Sequence, residues 1–89
     1  MADLVEFGLD EEELTKKARQ LIKNLKWYEK NIDSFREKYM NKYIAIYNKK
    51  IVDFDKDLII LKNKVKERNL DLDYVLFKYV YPKNVILIL

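Results

Sequence analysis

The chain has 89 residues, of which 49% are apolar and 37% are charged, and its formal net charge is +3. It contains no cysteine and no histidine, which excludes disulfides, thiolate and imidazole catalysis and the usual zinc sites. The apolar fraction predicts one folded domain over residues 1–89.

Acidic residues are concentrated at the start of the chain. Residues 1–13 contain six acidic and no basic residues, whereas residues 14–89 are basic overall. One interpretation is that Asp10 caps a helix and the three following glutamates lie near its positive N-terminus. The other is that this acidic leader folds over a basic surface and competes there with an anionic partner.

The next feature is a regular apolar seam. Residues 1–9 are predicted to form an N-terminal arm, and a capping signal at Asp10 predicts one long helix over residues 10–40. Such a helix is longer than a compact domain of this size, so part of it would overhang and pair with a second chain. A break near Asn31 is the alternative, but the unbroken apolar phase favours continuity. The apolar seam consists of eight residues whose spacing alternates between four and three. They are Leu14, Ala18, Leu21, Leu25, Tyr28, Ile32, Phe35 and Tyr39.

Beyond the seam the apolar period shortens to two, which predicts a β-hairpin over residues 43–54 with a two-residue turn at 48–49. The expected register pairs Ile46 with Ile51 on one face of the hairpin and places Phe54 on the other face.

The rest of the chain predicts a second helix and one or two further strands. Asp55 is expected to cap a helix that ends at Asn69, which is expected to be its left-handed C-terminal cap. A strand follows over residues 74–80. The apolar residues 85–89 predict a fourth strand or an intersubunit contact. The fold class is therefore α+β in the order α-β-β-α-β(-β), with both helices on one face of a small, mainly antiparallel sheet and with residues 42–89 as a β-β-α-β-β body.

Several local patterns occur together in known proteins. They are Trp27-Tyr28 on the first helix, the strand Lys42-Tyr43-Ile44-Ala45-Ile46, the return Ile51-Val52, Asp57-Leu58 at the start of the second helix and the final strand from Val75 to Val80. Through these features the region from Trp27 to Val80 resembles a family of short archaeal and bacterial proteins of unknown function. The resemblance implies an α-β-β-α-β arrangement and no functional residues.

The single Gly, the single Pro and the abundance of Lys and Ile are typical of heat-adapted proteins, or of AT-rich coding.

The sequence favours a non-catalytic protein–protein interaction or oligomerisation module. Neither a leader nor a bilayer-length apolar run is recognised, so we expect a cytoplasmic protein without membrane association. We also expect no cofactor, and we interpret the closely spaced aspartates, such as Asp53 and Asp55, as caps and turns rather than metal ligands. A homodimer is favoured, and its predicted interface comprises Leu14, Ala18, Leu21, Leu25, Val85, Leu87 and Leu89.

Two other functions stay open. Tyrosines and lysines on the predicted sheet and second helix are typical of surfaces that stack bases and hold phosphates, although they also finish cores and solubilise surfaces. This nucleic-acid alternative uses Tyr43, Tyr47, Lys49, Lys50, Lys62 and Lys66. The other alternative is a small antitoxin-like partner whose acidic leader or apolar tail occupies a different protein.

Overall fold

The computed structural model of the chain describes residues 11–83. The sheet has three antiparallel strands in the order β2-β1-β3, which confirms the α+β class. The predicted arm, Asp10 and the apolar residues 85–89 lie outside the described residues. In chain order the elements are α1 (Glu11–Lys30), α2 (Ile32–Tyr39), β1 (Tyr43–Tyr47), β2 (Lys50–Asp55), α3 (Leu58–Glu67), one turn of 3₁₀ helix (Leu72–Tyr74) and β3 (Leu76–Tyr79).

The predicted continuous helix over residues 10–40 is wrong, because α1 and α2 are separated at Asn31. The Asn31 backbone N–H donates to the carbonyl of Tyr28 over 3.1 Å, and its side-chain Nδ2 donates to the carbonyl of Trp27 over 2.8 Å. That second bond occupies the carbonyl that an α-helix would pair with the Asn31 N–H. Phe35 N–H then donates to the Asn31 carbonyl and α2 begins.

Helices cover both faces of the sheet, so the prediction of both helices on one face is wrong. Neighbouring strand residues point to opposite faces. Ile44 and Ile46 form a core with Tyr28 and Phe35 of α1 and α2. The other core contains Ala45, Leu61, Val65 and Val75, and it lies under α3.

The hairpin turn has the predicted length. Asn48 and Lys49 both have positive φ angles, 49° and 57°, as the two central residues of a type I′ turn do. Ile46 lies opposite Ile51, which confirms the predicted pairing.

A register shift between Ala45 and Ile46 changes the face of one aromatic residue. Ala45 lies opposite Asp53 and Ile44 lies opposite Phe54. Phe54 therefore shares a face with Ile44, and its ring centroid lies 5.1 Å from that of Tyr39 in α2. The prediction that Phe54 lies on the face opposite to Ile46 and Ile51 is therefore wrong. A bulge moves every later residue of its strand to the other face of the sheet.

The cap of α3 is Asp57 rather than Asp55. The Oδ1 of Asp57 accepts the backbone N–H groups of Ile59 and Ile60 over 2.8 and 3.2 Å. Asp55 lies two residues earlier, and its Oδ1 accepts the N–H of Asp57 over 2.9 Å. Asn69 has a φ of 60°, which confirms the predicted left-handed residue after the helix.

The third strand is shorter than predicted, because residues 72–74 form the 3₁₀ turn. The Oδ1 of Asp71 accepts the N–H of Asp73 over 3.0 Å and stabilises this turn. None of the helices within residues 11–83 is long and apolar enough to cross a bilayer.

Candidate functional site on the first helix

The first half of α1 is attached to the domain through Lys17. The Nζ of Lys17 donates to the Oδ2 of Asp73 over 2.7 Å and lies 5.7 Å from the ring centroid of Tyr74. The hydrogen bond to Asp73 raises the pKa of Lys17 above its usual value. This contact holds one side of α1 against the 3₁₀ turn.

One flank of α1 carries an apolar strip, which we define as Leu14, Ala18 and Ile22. The three residues are spaced by four, so they lie along one side of the helix. Ala18 is exposed, and the exposed fractions of Leu14 and Ile22 are 38% and 52%. The described residues therefore leave this strip largely uncovered.

The predicted interface residues of α1 do not share one environment. Leu14 and Ala18 belong to the apolar strip, whereas Leu21 and Leu25 are half-buried, and Leu25 packs against the core between α1, α2 and the sheet. Val85, Leu87 and Leu89 lie outside the described residues. Ile22 was missed because it is out of phase with the seam, although its spacing of four from Ala18 would have indicated it.

The other flank of α1 faces the β1–β2 turn across a basic cleft. The cleft has a volume of about 190 Å³ and adjoins a second depression of about 330 Å³. Lysines and a single tryptophan line the first, and polar residues line the second. We define the basic cleft by its lining residues, Lys23, Lys26, Trp27, Lys30 and Lys49.

The fully buried Asn24 forms part of the wall of the second depression. Its Oδ1 accepts the backbone N–H of Lys49 over 3.0 Å, which joins the turn to α1. Its Nδ2 is buried and has no hydrogen-bond partner among residues 11–83. A buried donor without a partner costs free energy and is uncommon in folded proteins.

The residues of the predicted nucleic-acid site lie on β1, the β1–β2 turn, β2 and α3. Tyr43 and Tyr47 are half-buried and pack against the core under α3. Lys62 of α3 lies 5.8 Å from the ring centroid of Phe77. Of the other three residues, Lys49 lines the basic cleft, Lys50 is exposed at the start of β2, and Lys66 is exposed on α3.

The aspartates near α3 form ion pairs and turns. Lys64 Nζ lies 3.0 Å from Asp55 Oδ2 and 3.7 Å from Asp53 Oδ1, and Arg68 Nη2 lies 3.2 Å from Asp53 Oδ2. The N–H of Asp57 and the ammonium of Lys64 together lower the pKa of Asp55. Residues 11–83 contain no group of three acidic side chains placed to hold a metal ion.

A family model matches part of the chain. The model describes a family of unknown function (DUF5678), and it matches residues 35–78. This supports the resemblance to a family of unknown function, over a range that begins in α2 and ends in β3. Comparison with curated proteins and comparison with solved structures gave no match. Both flanks of α1 thus lie outside the part of the chain that is similar to the family.

Proposed function

We propose that the protein is a non-catalytic self-association module in which α1 pairs with α1 of a second copy. The apolar strip carries this proposal. Leu14 and Ile22 expose 38% and 52% of their surface on a helix whose other side is packed. Complete burial of a fully exposed aliphatic side chain is favourable by about 1.5–3 kcal/mol, so a partner that covers the exposed parts of Leu14 and Ile22 gains a fraction of that free energy.

The charges of α1 favour a second copy as that partner. The helix begins with Glu11, Glu12 and Glu13. An antiparallel pair keeps these glutamates of the two copies apart. It also opposes the two helix dipoles, whereas a parallel pair would bring like charges together.

A helix pair along the whole of α1 has sufficient length for this contact. Its 20 residues extend about 30 Å. The strip extends from Leu14 to Ile22, so an antiparallel pair centred on Ala18 places the half-buried Leu25 of each copy beside the first turn of the other. Side-chain packing at helix spacings of three and four then provides the interface.

The experiment compares the molar mass of two matched variants by size-exclusion chromatography with light scattering at micromolar concentration. We expect a dimer for the wild type and a monomer with an unchanged circular dichroism spectrum for Ile22→Glu. Ile59→Glu is the control, because Ile59 lies on α3 and is 72% exposed. It introduces the same charge on another element and is expected to remain dimeric. We use Ile22 rather than the half-buried Leu21 so that dissociation is not confused with unfolding.

Three results would contradict the proposal. A wild-type monomer at every concentration would exclude self-association. A monomer whose melting temperature falls in Ile22→Glu but not in Ile59→Glu would mean that residues 1–10 or 84–89 of the same chain cover the strip. A stable complex with a different protein, lost in Ile22→Glu, would instead support the antitoxin-like alternative.

A further inference from the structure

We propose that the basic cleft binds single-stranded nucleic acid, with phosphates on its lysines and a base against Trp27. The cleft lies between α1 and the β1–β2 turn, on the flank of α1 away from the apolar strip. It shares Lys49 with the nucleic-acid surface that the sequence offers as an alternative, but none of the other residues of that surface.

In the part of the chain that the structure describes, the lysines of the cleft have no acidic partners. Within residues 11–83, none of Lys23, Lys26, Lys30 and Lys49 forms an ion pair. By contrast, Lys64 is compensated by Asp53 and Asp55, and Lys17, Arg36 and Arg68 also form ion pairs. Lysines that line one concave surface without acidic partners concentrate positive potential there, and such a surface attracts anions.

The arrangement of the positive charges fits a linear polyanion. A basic row continues the charge of the cleft along α1 at spacings of three, four, three and four, and its residues are Lys16, Arg19, Lys23, Lys26 and Lys30. The row is about 21 Å long at 1.5 Å per residue. A compact anion would contact only part of it, whereas a strand of several nucleotides can place successive phosphates along its whole length.

The wall of the cleft favours a nucleic-acid strand over a polyanion without bases. Trp27 in its wall offers an aromatic surface, and stacking of a base on such a ring contributes about 1–3 kcal/mol.

The proposal does not depend on self-association. Lys49 and Trp27 lie on the cleft side, and the apolar strip lies on the other flank of α1. A protein that remains monomeric can still bind nucleic acid here, and a dimer can fail to bind. The two proposals can therefore fail separately.

Trp27 allows a direct test because it is the only tryptophan of the chain. Titration of the protein with a short single-stranded oligonucleotide at low salt is expected to quench its fluorescence. The logarithm of the binding constant is expected to fall with the logarithm of salt concentration with a slope of roughly −3, at about 0.7 per phosphate for four contacts. Lys49→Gln is expected to weaken binding several-fold and to reduce the steepness of the slope by about 0.7.

Lys66→Gln is the matched control, because Lys66 is exposed on α3. We expect this variant to bind like the wild type. Absence of quenching and binding at low salt would overturn the proposal, as would an equal loss of affinity in Lys66→Gln and Lys49→Gln. Two further results would also overturn it. One is binding of tripolyphosphate without binding of the oligonucleotide, and the other is preferential binding of a duplex of the same sequence.

Discussion

The backbone N–H of Lys49 donates to the Oδ1 of Asn24 over 3.0 Å, so the tightest turn of the sheet is held by a buried side chain of α1. The two residues are 25 positions apart. This bond fixes the distance between α1 and the turn, and that distance determines the width of the basic cleft. Stability of the fold and geometry of the cleft are therefore linked through one amide group.

Replacement of Asn24 by Ala is expected to lower the free energy of unfolding by about 1–2 kcal/mol. The Lys49 N–H loses its acceptor, and a small cavity remains at a fully buried position. Chemical denaturation measures the change, and amide hydrogen exchange at Lys49 is expected to accelerate. Gln20→Ala is the control, since Gln20 lines the same depression and has no hydrogen bond to the turn. Equal stability of Asn24→Ala and the wild type would contradict this role.

Lys49→Gly is expected to raise the free energy of unfolding by about 0.5–1 kcal/mol. Lys49 has a φ of 57°, which costs a residue with a Cβ more than it costs glycine, and the N–H that bonds Asn24 is retained. The control is Lys50→Gly, which removes the same charge from the adjacent position in β2. Lys50→Gly is expected to lower the free energy of unfolding, because a residue in a strand does not need the conformational freedom of glycine. A loss of stability in Lys49→Gly would mean that the positive φ of Lys49 does not limit the stability of the turn.

The sequence predicted this turn well because its signals are local. Asn48-Lys49 between two β-branched runs was sufficient to identify the turn and the pairing of Ile46 with Ile51. The bulge that follows depends on how the sheet fits against the helices, and no short-range pattern indicated it. Phe54 was assigned to the wrong face for that reason.

The break at Asn31 shows the same limit in a helix. The apolar phase passes through this residue unchanged, so periodicity alone predicts one helix. The break depends on the bond from the Asn31 side chain to the carbonyl of Trp27, which competes with the helical bond at the same acceptor. The basic row was visible as a regular spacing in the sequence, but only the fold brings Lys49 beside it.

Asp57→Ala is expected to lower the free energy of unfolding by about 0.5–2 kcal/mol. One carboxylate oxygen accepts two N–H groups at the start of α3, those of Ile59 and Ile60, and alanine leaves both without this acceptor. Asp57→Asn is the control, because its amide oxygen can accept the same bonds and is expected to retain most of the stability. The comparison is made by thermal and chemical denaturation. Similar losses in both variants would indicate that charge, rather than the cap hydrogen bonds, determines the effect.

Asp55 is expected to make the stability of the protein depend on pH in the acid range. The N–H of Asp57 and the ammonium of Lys64 bond its two oxygens at 2.9 and 3.0 Å and lower its pKa below the ordinary value of 3.8. Because the folded pKa is the lower one, the contribution of Asp55 is complete above pH 3.8 and is lost as the pH falls through the folded pKa.

Denaturation of the wild type and Asp55→Asn across this pH range measures the contribution of Asp55. The wild type is expected to be the more stable at neutral pH, and the difference is expected to shrink as Asp55 is protonated. At the alkaline end the pKa of Lys64 is raised from 10.5, chiefly by Asp55. The contribution of Lys64 should therefore be complete below pH 10.5 and disappear as the pH rises through the raised value. A difference between the two proteins that stays constant from neutral to strongly acid pH would contradict this assignment.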